Sequence, residues 1–181
     1  MTDPTAAIRI DVLFSAQDIA RRIDALAAEI EATKPEPLLV VALLTGSFIF
    51  AADLIRGLER VGLHPEIDFI SLSSYKSGTQ SQGHIEILRD SAVDMAGRNV
   101  LIIDDILDTG RTLAFAREAV ASRGAARVMT CVLLDKRARR TTQINADFRA
   151  FDCPDTFVVG YGMDFAHRHR ELPFVGRIVT P

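Results

Sequence analysis

VLIIDDILDTGRTL, residues 100–113, runs from four aliphatic residues into three acids and a small polar loop. An unbroken aliphatic run is typical of a strand covered on both faces, and open α/β sheets bind ligands at the carboxyl ends of such strands. Asp104 and Asp105 lie at that end. Residues 109–112 then supply hydroxyls, one glycine and a cation where a helix presents its unpaired amides. This combination predicts a phosphate site with acids beside it.

Two familiar motifs share letters with this stretch, and neither fits it. A Walker A loop needs a glycine at the position that Asp105 occupies and a lysine where Arg111 stands. The triplet at residues 108–110 is also that of aspartic proteases, whose chemistry needs a second carboxylate from another copy of the motif or from a symmetric dimer. The chain contains no second copy. Both an ATPase loop and an aspartic protease are therefore disfavoured.

Composition and charge indicate an ordinary soluble protein. The 181 residues are 48% hydrophobic and 25% charged, which predicts a single domain over residues 1–181. The 21 basic residues do not outnumber the 24 acidic ones, and the formal net charge of -3 offers no general attraction for nucleic acid. We therefore expect small-molecule substrates and no nucleic-acid partner.

Cysteine usage and the N-terminus bear on location. Cys131 and Cys153 lie in or beside apolar segments without the spacing of a metal site, which favours buried, reduced thiols. The first residues lack the basic start and apolar core of a signal peptide, and no apolar run approaches roughly 18 residues. The expectation is a cytoplasmic protein without a membrane segment.

Strand and helix patterns alternate along the chain. Ser15, with Asp18 three residues later, predicts a capped amphipathic helix up to about Ala32. Residues 38–44 are typical of a buried parallel strand, and a polar loop is predicted over residues 73–83. Further strands are expected at residues 67–71, 84–88, 128–134, 146–151, 157–160 and 175–179, and further helices after residues 47 and 110. This order predicts an α/β fold with a central parallel sheet flanked by helices and a small hood formed by the terminal segments.

The hydrophobic strand followed by two acids and D-T-G-x-T resembles the ribose-phosphate signature of the type I phosphoribosyltransferases. That resemblance implies the type I phosphoribosyltransferase fold and phosphoribosyl pyrophosphate as donor. Asp104 and Asp105 would then hold the two ribose hydroxyls, since a carboxylate with two acceptor oxygens suits a vicinal diol. The residues expected to enclose the 5′-phosphate are Asp108, Thr109, Gly110, Arg111 and Thr112.

The resemblance covers nearly the whole chain and is greatest to the hypoxanthine-guanine branch of that family. Thr45 and Gly46 fall in its pyrophosphate loop, which carries a non-proline cis peptide and usually has Lys or Arg where this chain has Thr45. Ser74 and Tyr75 match the flexible loop that closes over the reacting centre. Closure would keep water from an electron-poor ribose carbon.

Five further positions concern the purine and the pyrophosphate. Lys136 matches a lysine beside the base, and an ammonium can donate to a 6-oxo group but cannot accept from a 6-amino group. Phe157 would stack on the base, while Val158 would contact the ring edge through its backbone. Asp164 would hold Mg²⁺ on the pyrophosphate side, with Asp104 and Asp105 as further candidate metal ligands. Arg170 falls where a relative's arginine contacts pyrophosphate.

Together the resemblance implies transfer of a 5-phosphoribosyl group to N9 of hypoxanthine or guanine, giving IMP or GMP and pyrophosphate in purine salvage. Asp108 is the candidate general acid/base, exchanging a proton with N7 of the purine. Alternatives are a xanthine-preferring transferase and an RNA-binding regulator with the same fold. Relatives assemble as dimers or tetramers, so a homodimer or homotetramer is expected.

Overall fold

A computed structural model describes residues 8–75 and 84–179 of the chain. Within those residues the α-helices are α1 (Ala16–Glu31), α2 (Phe48–Arg60) and α3 (Arg111–Ala121). The strands are β1 (Arg9–Phe14), β2 (Leu38–Leu44), β3 (Glu66–Tyr75), β4 (His84–Arg89), β5 (Asn99–Leu107), β6 (Arg127–Asp135), β7 (Phe148–Asp152), β8 (Val158–Val159) and β9 (Val175–Val179).

Six strands form the main sheet, in the order β4-β3-β2-β5-β6-β7. All neighbours in it are parallel except β4, which pairs antiparallel with β3 at one edge. The chain leaves β2 toward β3 on one side and later returns through β5 on the other. Strand order therefore reverses between β2 and β5, and the crevice beyond their carboxyl ends is where such sheets bind ligands.

Strand β5 is buried on both faces. Its residues 100–103 have no exposed surface, and they alternate between two hydrophobic clusters. Leu101 and Ile103 pack in the cluster beneath α1 and α2, whereas Val100 and Ile102 pack in the cluster beneath α3. This two-sided burial explains the aliphatic run of the sequence and confirms the predicted α/β architecture.

A second, three-stranded sheet has the order β1-β9-β8 and is antiparallel throughout. It joins a segment from the beginning of the described chain to two from its end, and we refer to it as the hood. Tyr161 fastens the turn after β8 to α2, because its hydroxyl donates to Asp53 Oδ2 at 2.5 Å. This hydrogen bond holds the segment that follows β8 against helix α2.

Local sequence signals explain how the helices begin. At α1, the Ser15 hydroxyl accepts from the Asp18 amide and the Asp18 carboxylate accepts from the Ser15 amide, so the predicted capping box is confirmed. Helix α3 follows Gly110, whose φ of 89° is a left-handed conformation that glycine adopts without steric conflict. Residues 108–110 thus lead directly from β5 into a helix N-terminus.

Two strands are longer than the sequence predicts. Strand β5 continues through Asp104 and Asp105 to Leu107, because Ile106 and Leu107 pair with Leu134 and Asp135 of β6. Strand β3 continues through Ser74 and Tyr75, because these residues pair with β4. Their assignment to the predicted loop was therefore wrong, and the remainder of that loop, residues 76–83, lies outside the described residues.

No helix in the described parts of the chain is both long and apolar enough to cross a membrane.

Leu101 gives a direct test of the two-sided core. Replacing Leu101 by Ala should lower the free energy of unfolding by about 2 to 5 kcal/mol, because the side chain is fully buried and leaves a cavity. Urea denaturation followed by circular dichroism measures this loss. Leu88→Ala is the matched control, since Leu88 is 62% exposed on β4 and its loss should change stability by about 0.5 kcal/mol or less. Equal losses for the two variants would contradict the described core.

Candidate active site

A cavity of about 350 Å³ opens at the carboxyl edge of the main sheet, where strand order reverses. Residues from the ends of β2, β5 and β6 and from the hood meet there. Its lining consists of Thr45, Gly46, Asp105, Ile106, Asp108, Lys136, Arg139, Phe157, Val158, Met163, Asp164 and Arg170. The cavity therefore brings charged side chains from three segments that are distant in sequence, residues 105–108, 136–139 and 164–170, around one space.

The two adjacent acids of β5 have different environments. Asp104 is 7% exposed and is absent from the cavity lining, whereas Asp105 lines the cavity. Burial, and secondly the neighbouring Asp105 carboxylate, raise the pKa of Asp104 well above its usual value. The Asp105 amide donates to Asp104 Oδ1 at 3.0 Å, so the pair is held by its own backbone.

Asp105 also approaches the loop after β2. A Cβ at Gly46 would lie 1.9 Å from Asp105 Oδ2, so only glycine allows the carboxylate this position. The Leu44–Thr45 peptide at the same place is cis, as the family resemblance implied. Loop and acid are therefore packed directly against each other across the crevice.

Asp108 follows β5 and lines the cavity. Its Oδ1 is buried and has no hydrogen-bond partner among the described residues. Its Oδ2 lies 3.7 Å from Arg139 Nη1, a contact that the sequence did not predict. A buried acceptor without a partner is unfavourable in a folded protein, so Asp108 has hydrogen-bonding capacity available for a ligand.

The opposite wall contains the residues predicted to contact a base. Lys136 is only 6% exposed, and its Nζ donates to the carbonyl oxygen of Thr156 at 2.6 Å. Phe157 is 55% exposed, and its ring meets that of Phe165 edge to face, with 5.6 Å between the ring centroids. An exposed aromatic face beside a fixed ammonium can stack a planar ring and donate a hydrogen bond to its edge.

Asp164 and Arg170 form an ion pair on the third side of the cavity. Arg170 Nη2 lies 2.7 Å from Asp164 Oδ1, and Arg170 Nη1 donates to the Gly162 carbonyl oxygen at 2.6 Å. The other carboxylate oxygen of Asp164 accepts from the His167 amide at 2.8 Å. Oxygen ligands and a cation thus lie together at this end of the site.

Most of the predicted site residues converge, and some lie beside the cavity. The loop and helix start at residues 109–112 follow Asp108 directly but do not line the cavity. Ser74 and Tyr75 end β3, as described above. Ile106, Arg139 and Met163 line the cavity without having been predicted. For Arg139 the only available signal was the basic segment after β6, which gave no indication of which side chain turns toward the site.

Comparisons with known proteins agree with this geometry. The model of the phosphoribosyl transferase domain matches residues 10–166. The hypoxanthine-guanine phosphoribosyltransferase of Aquifex aeolicus is 43% identical over 169 residues, which are 92% of this chain and 93% of the relative.

Two solved structures of Trypanosoma cruzi hypoxanthine phosphoribosyltransferase also superpose well. One is a mutant in a ternary complex with substrates; it has a TM-score of 0.88 and 35% identity, with 95% of this chain and 96% of the other covered. The other concerns the role of the C-terminal region in oligomeric state and activity; it has a TM-score of 0.89 and 33% identity, with 98% and 95% covered. These are proteins to which the chain is similar over nearly its full length.

Burial of the Asp104 carboxyl is expected to lower the stability of the folded protein at neutral pH. Because the raised pKa makes the folded chain keep this proton to a higher pH than the unfolded chain, stability is lost as the pH rises above about 4. Asp104→Asn should therefore raise the melting temperature at pH 7, by about 2 to 4 °C for each kcal/mol gained. The gain should shrink as the pH falls toward 4.

Differential scanning calorimetry from pH 4 to pH 8 measures this dependence. Glu118→Gln, on the exposed surface of α3, removes one carboxylate without relieving burial and should leave the melting temperature nearly unchanged. A melting temperature of Asp104→Asn below that of the parent at pH 7 would contradict the assigned cause.

Proposed function

The chain belongs to the phosphoribosyl transferase family, and we propose that it transfers the 5-phosphoribosyl group of phosphoribosyl pyrophosphate to N9 of hypoxanthine or guanine. The products are IMP or GMP and pyrophosphate, as purine salvage requires. The observation that carries the proposal is the single cavity in which Asp105 and Asp108 face Lys136 and Phe157. One side suits a sugar phosphate and the other suits a 6-oxopurine.

The donor occupies the β5 side of the cavity in this proposal. Asp105, which lines the cavity, and Asp104, which is adjacent to it outside the lining, accept hydrogen bonds from the two ribose hydroxyls, which are a vicinal pair of donors. The 5′-phosphate lies at residues 108–112, where Thr109, Gly110, Arg111 and Thr112 combine backbone amides, hydroxyls and the N-terminus of α3. The positive end of the α3 dipole favours a phosphate dianion at this position.

The purine occupies the hood side. Phe157 stacks on one face of the ring, Lys136 Nζ donates to the 6-oxo oxygen, and the backbone of Val158 contacts the ring edge. Support for this assignment is that Lys136 is already buried and oriented by Thr156, so little side-chain entropy remains to be lost on binding. An ammonium offers nothing to which a 6-amino group could donate, so adenine is rejected.

Asp108 acts as the general acid/base. With N9 as the nucleophile toward C1 of the ribose, a proton exchanged between N7 and the Asp108 carboxylate makes N9 the better nucleophile. The bond from C1 to N9 forms while the bond from C1 to the pyrophosphate oxygen breaks, and the bonding pair leaves with pyrophosphate. The unpartnered Oδ1 of Asp108 is the acceptor that supports this role.

A magnesium ion belongs to the same proposal. Asp164 and Asp105 supply oxygen ligands in the cavity, and Asp104 lies beside Asp105. Among the described residues no three His, Cys, Asp or Glu side chains surround one point, which fits a cation completed by substrate phosphates and water. When bound, Mg²⁺ neutralises charge on the leaving pyrophosphate. Arg170 pairs with Asp164 and also contacts the pyrophosphate. The backbone groups of Thr45 and Gly46 contact the same pyrophosphate.

We further propose how the site closes, where the protein works, and how it is organised and assembles. By the family resemblance, Ser74 and Tyr75 take part in closing the site over the reacting centre, which excludes water, and the residues that follow them, 76–83, lie outside the described residues. The protein works in the cytoplasm, which agrees with two buried free thiols, Cys131 and Cys153. The chain forms one domain that assembles as a homodimer or homotetramer.

The RNA-binding alternative has less support than the enzyme, because the relatives are named as transferases and the charge balance is acidic. A preference for xanthine is decided by the base experiment below.

Asp108→Asn should lower kcat by about 10² to 10⁴, because proton transfer with N7 is lost, while the affinity for phosphoribosyl pyrophosphate changes only a few-fold. Single-turnover kinetics and calorimetric titration of the donor separate the two effects. The exposed Asp94→Asn serves as the control and should alter neither. Equal losses in turnover and donor affinity would count against Asp108 as the general acid/base.

A panel of hypoxanthine, guanine, xanthine and adenine, each supplied with phosphoribosyl pyrophosphate and Mg²⁺, tests the acceptor. We expect hypoxanthine and guanine to react, xanthine to react more slowly, and adenine to give no product. In Lys136→Met the kcat/KM for hypoxanthine should fall at least about tenfold, since the 6-oxo group loses its donor. Activity with adenine alone would overturn the role of Lys136, and xanthine as the best substrate would favour the xanthine alternative.

A further inference from the structure

Arg140 lies behind residues 107–112, which we call the phosphate loop, and outside the candidate active-site cavity. It lines a separate open depression instead, beside Arg117 and Thr142. Its side chain is only 14% exposed, although it carries a full positive charge. An arginine so far from solvent needs several acceptors, and its surroundings supply them.

The guanidinium of Arg140 donates to four oxygens. Nε donates to the carbonyl of Asp108 at 3.0 Å, and Nη2 donates to the carbonyl of Leu107 at 3.1 Å. Nη1 donates to the carbonyl of Ile144 at 2.5 Å, and Nη2 also pairs with Asp135 Oδ1. Arginine alone can do this, because its planar fork has five donors, whereas lysine has one nitrogen.

Backbone amides of the same segment complete the attachment. The Lys136 amide donates to the Leu107 carbonyl at 2.9 Å. The amides of Thr141 and Thr142 both donate to the Thr109 carbonyl at 3.0 Å. Three consecutive carbonyls of the phosphate loop are therefore bound by residues 136–142, and Arg140 supplies the only contact among these that reaches the middle one.

Anchoring the carbonyls fixes the direction of the amides. The peptides of residues 107–110 are trans, and in a planar trans peptide the N–H points opposite to the C=O. With the carbonyls of residues 107–109 turned toward residues 136–142, the N–H groups of the following residues point the other way. These N–H groups belong to Asp108, Thr109 and Gly110. Successive amides on one side form a concave anion site.

Asp135, the acidic partner of Arg140, is adjacent to Lys136, the residue proposed to contact the purine. Asp135 is 3% exposed, ends β6, and directly precedes Lys136. The Asp135 carbonyl also accepts from the Cys153 amide at 2.9 Å. One guanidinium thus joins the loop after β5 to the strand end that carries Lys136.

We propose that Arg140 is a positioning residue that holds the phosphate-loop amides toward the 5′-phosphate and fixes that loop relative to Lys136. It touches no substrate and acts through the loop backbone. This inference rests on the proposed function, because it names what orients the donor site of that reaction. Gly110 is part of the arrangement, since a Cβ there would lie 3.0 Å from Arg140 Cδ and 2.7 Å from Ile144 Cγ2.

Arg140→Met removes the four contacts and keeps an apolar stem of similar length. We expect the KM for phosphoribosyl pyrophosphate to rise at least about tenfold, because misdirected amides bind the phosphate poorly, while the KM for guanine changes less than about twofold. Calorimetric titration with GMP should show a matching loss of affinity. Arg140→Lys keeps the charge without the fork and should recover little of the loss.

Arg137→Met is the matched control. Arg137 Nε contacts the same Asp135 carboxylate at 3.4 Å, but its side chain is 63% exposed and none of its described hydrogen bonds reaches the phosphate loop. It should leave both KM values unchanged. Melting temperatures are recorded for every variant, because a merely structural role would lower stability or the active fraction and leave the donor KM of the folded protein unaltered.

The outcomes separate this inference from the proposed function. If the parent protein transfers no phosphoribosyl group to any purine, the proposed function is wrong, and GMP binding still reports on the loop. If Arg140→Met and Arg140→Lys both keep the parent's donor KM and GMP affinity, the positioning role is overturned. If Arg140→Met does not fold, Arg140→Lys and Asp135→Asn decide the question by the same two measurements, and an unchanged donor KM in both overturns it.

Discussion

The burial of β5 on both faces is the constraint on which the other features depend. Because side chains alternate along a strand, a slip of one residue would exchange Leu101 with Ile102 between the two clusters and move every later side chain to the wrong face. The aliphatic run therefore fixes the register with β2 and β6 together. It also fixes where the polar end of β5 lies, which is at the edge where its two parallel neighbours, β2 and β6, also end.

The acids occur where this alternation changes. Ile103 and Ile106 pack in the same cluster, although regular alternation would place residues three positions apart on opposite faces, and Leu107 packs in the other cluster. Between them, the amides of Asp105 and Ile106 donate to the side chains of Asp104 and Asp105. Adjacent side chains of a strand point to opposite faces, so these two adjacent positions supply one buried acid and one that lines the cavity.

Features that depend on neighbouring residues could be predicted from the sequence, whereas features that depend on contacts between distant segments could not. The capping box at Ser15, the strand at residues 100–103 and the helix after Gly110 depend on neighbouring residues, and their patterns indicated them correctly. The β5 extension to Leu107 depends on β6, and the contact of Lys136 with Thr156 depends on the folding back of the hood segment. Arg139 and Arg140 are adjacent in a basic segment, yet one faces the cavity and the other lies behind the loop. No periodicity distinguishes them, because Arg139 ends a short 3₁₀ turn, Arg137–Arg139, and Arg140 is the residue that caps it.

The pairing of the hood strands imposes an order on the folding of the chain. Strand β1 pairs with β9, from the opposite end of the described chain, and β9 in turn pairs with β8 beside Phe157. A growing chain emerging from the ribosome has the phosphate loop and all six strands of the main sheet before it reaches β9. Closing so long a loop is entropically unfavourable until the intervening segments have folded. The side of the cavity that Phe157 and Val158 line is consequently completed after the side that Asp105 and Asp108 line, and β1 cannot pair with β9 until that strand has been made.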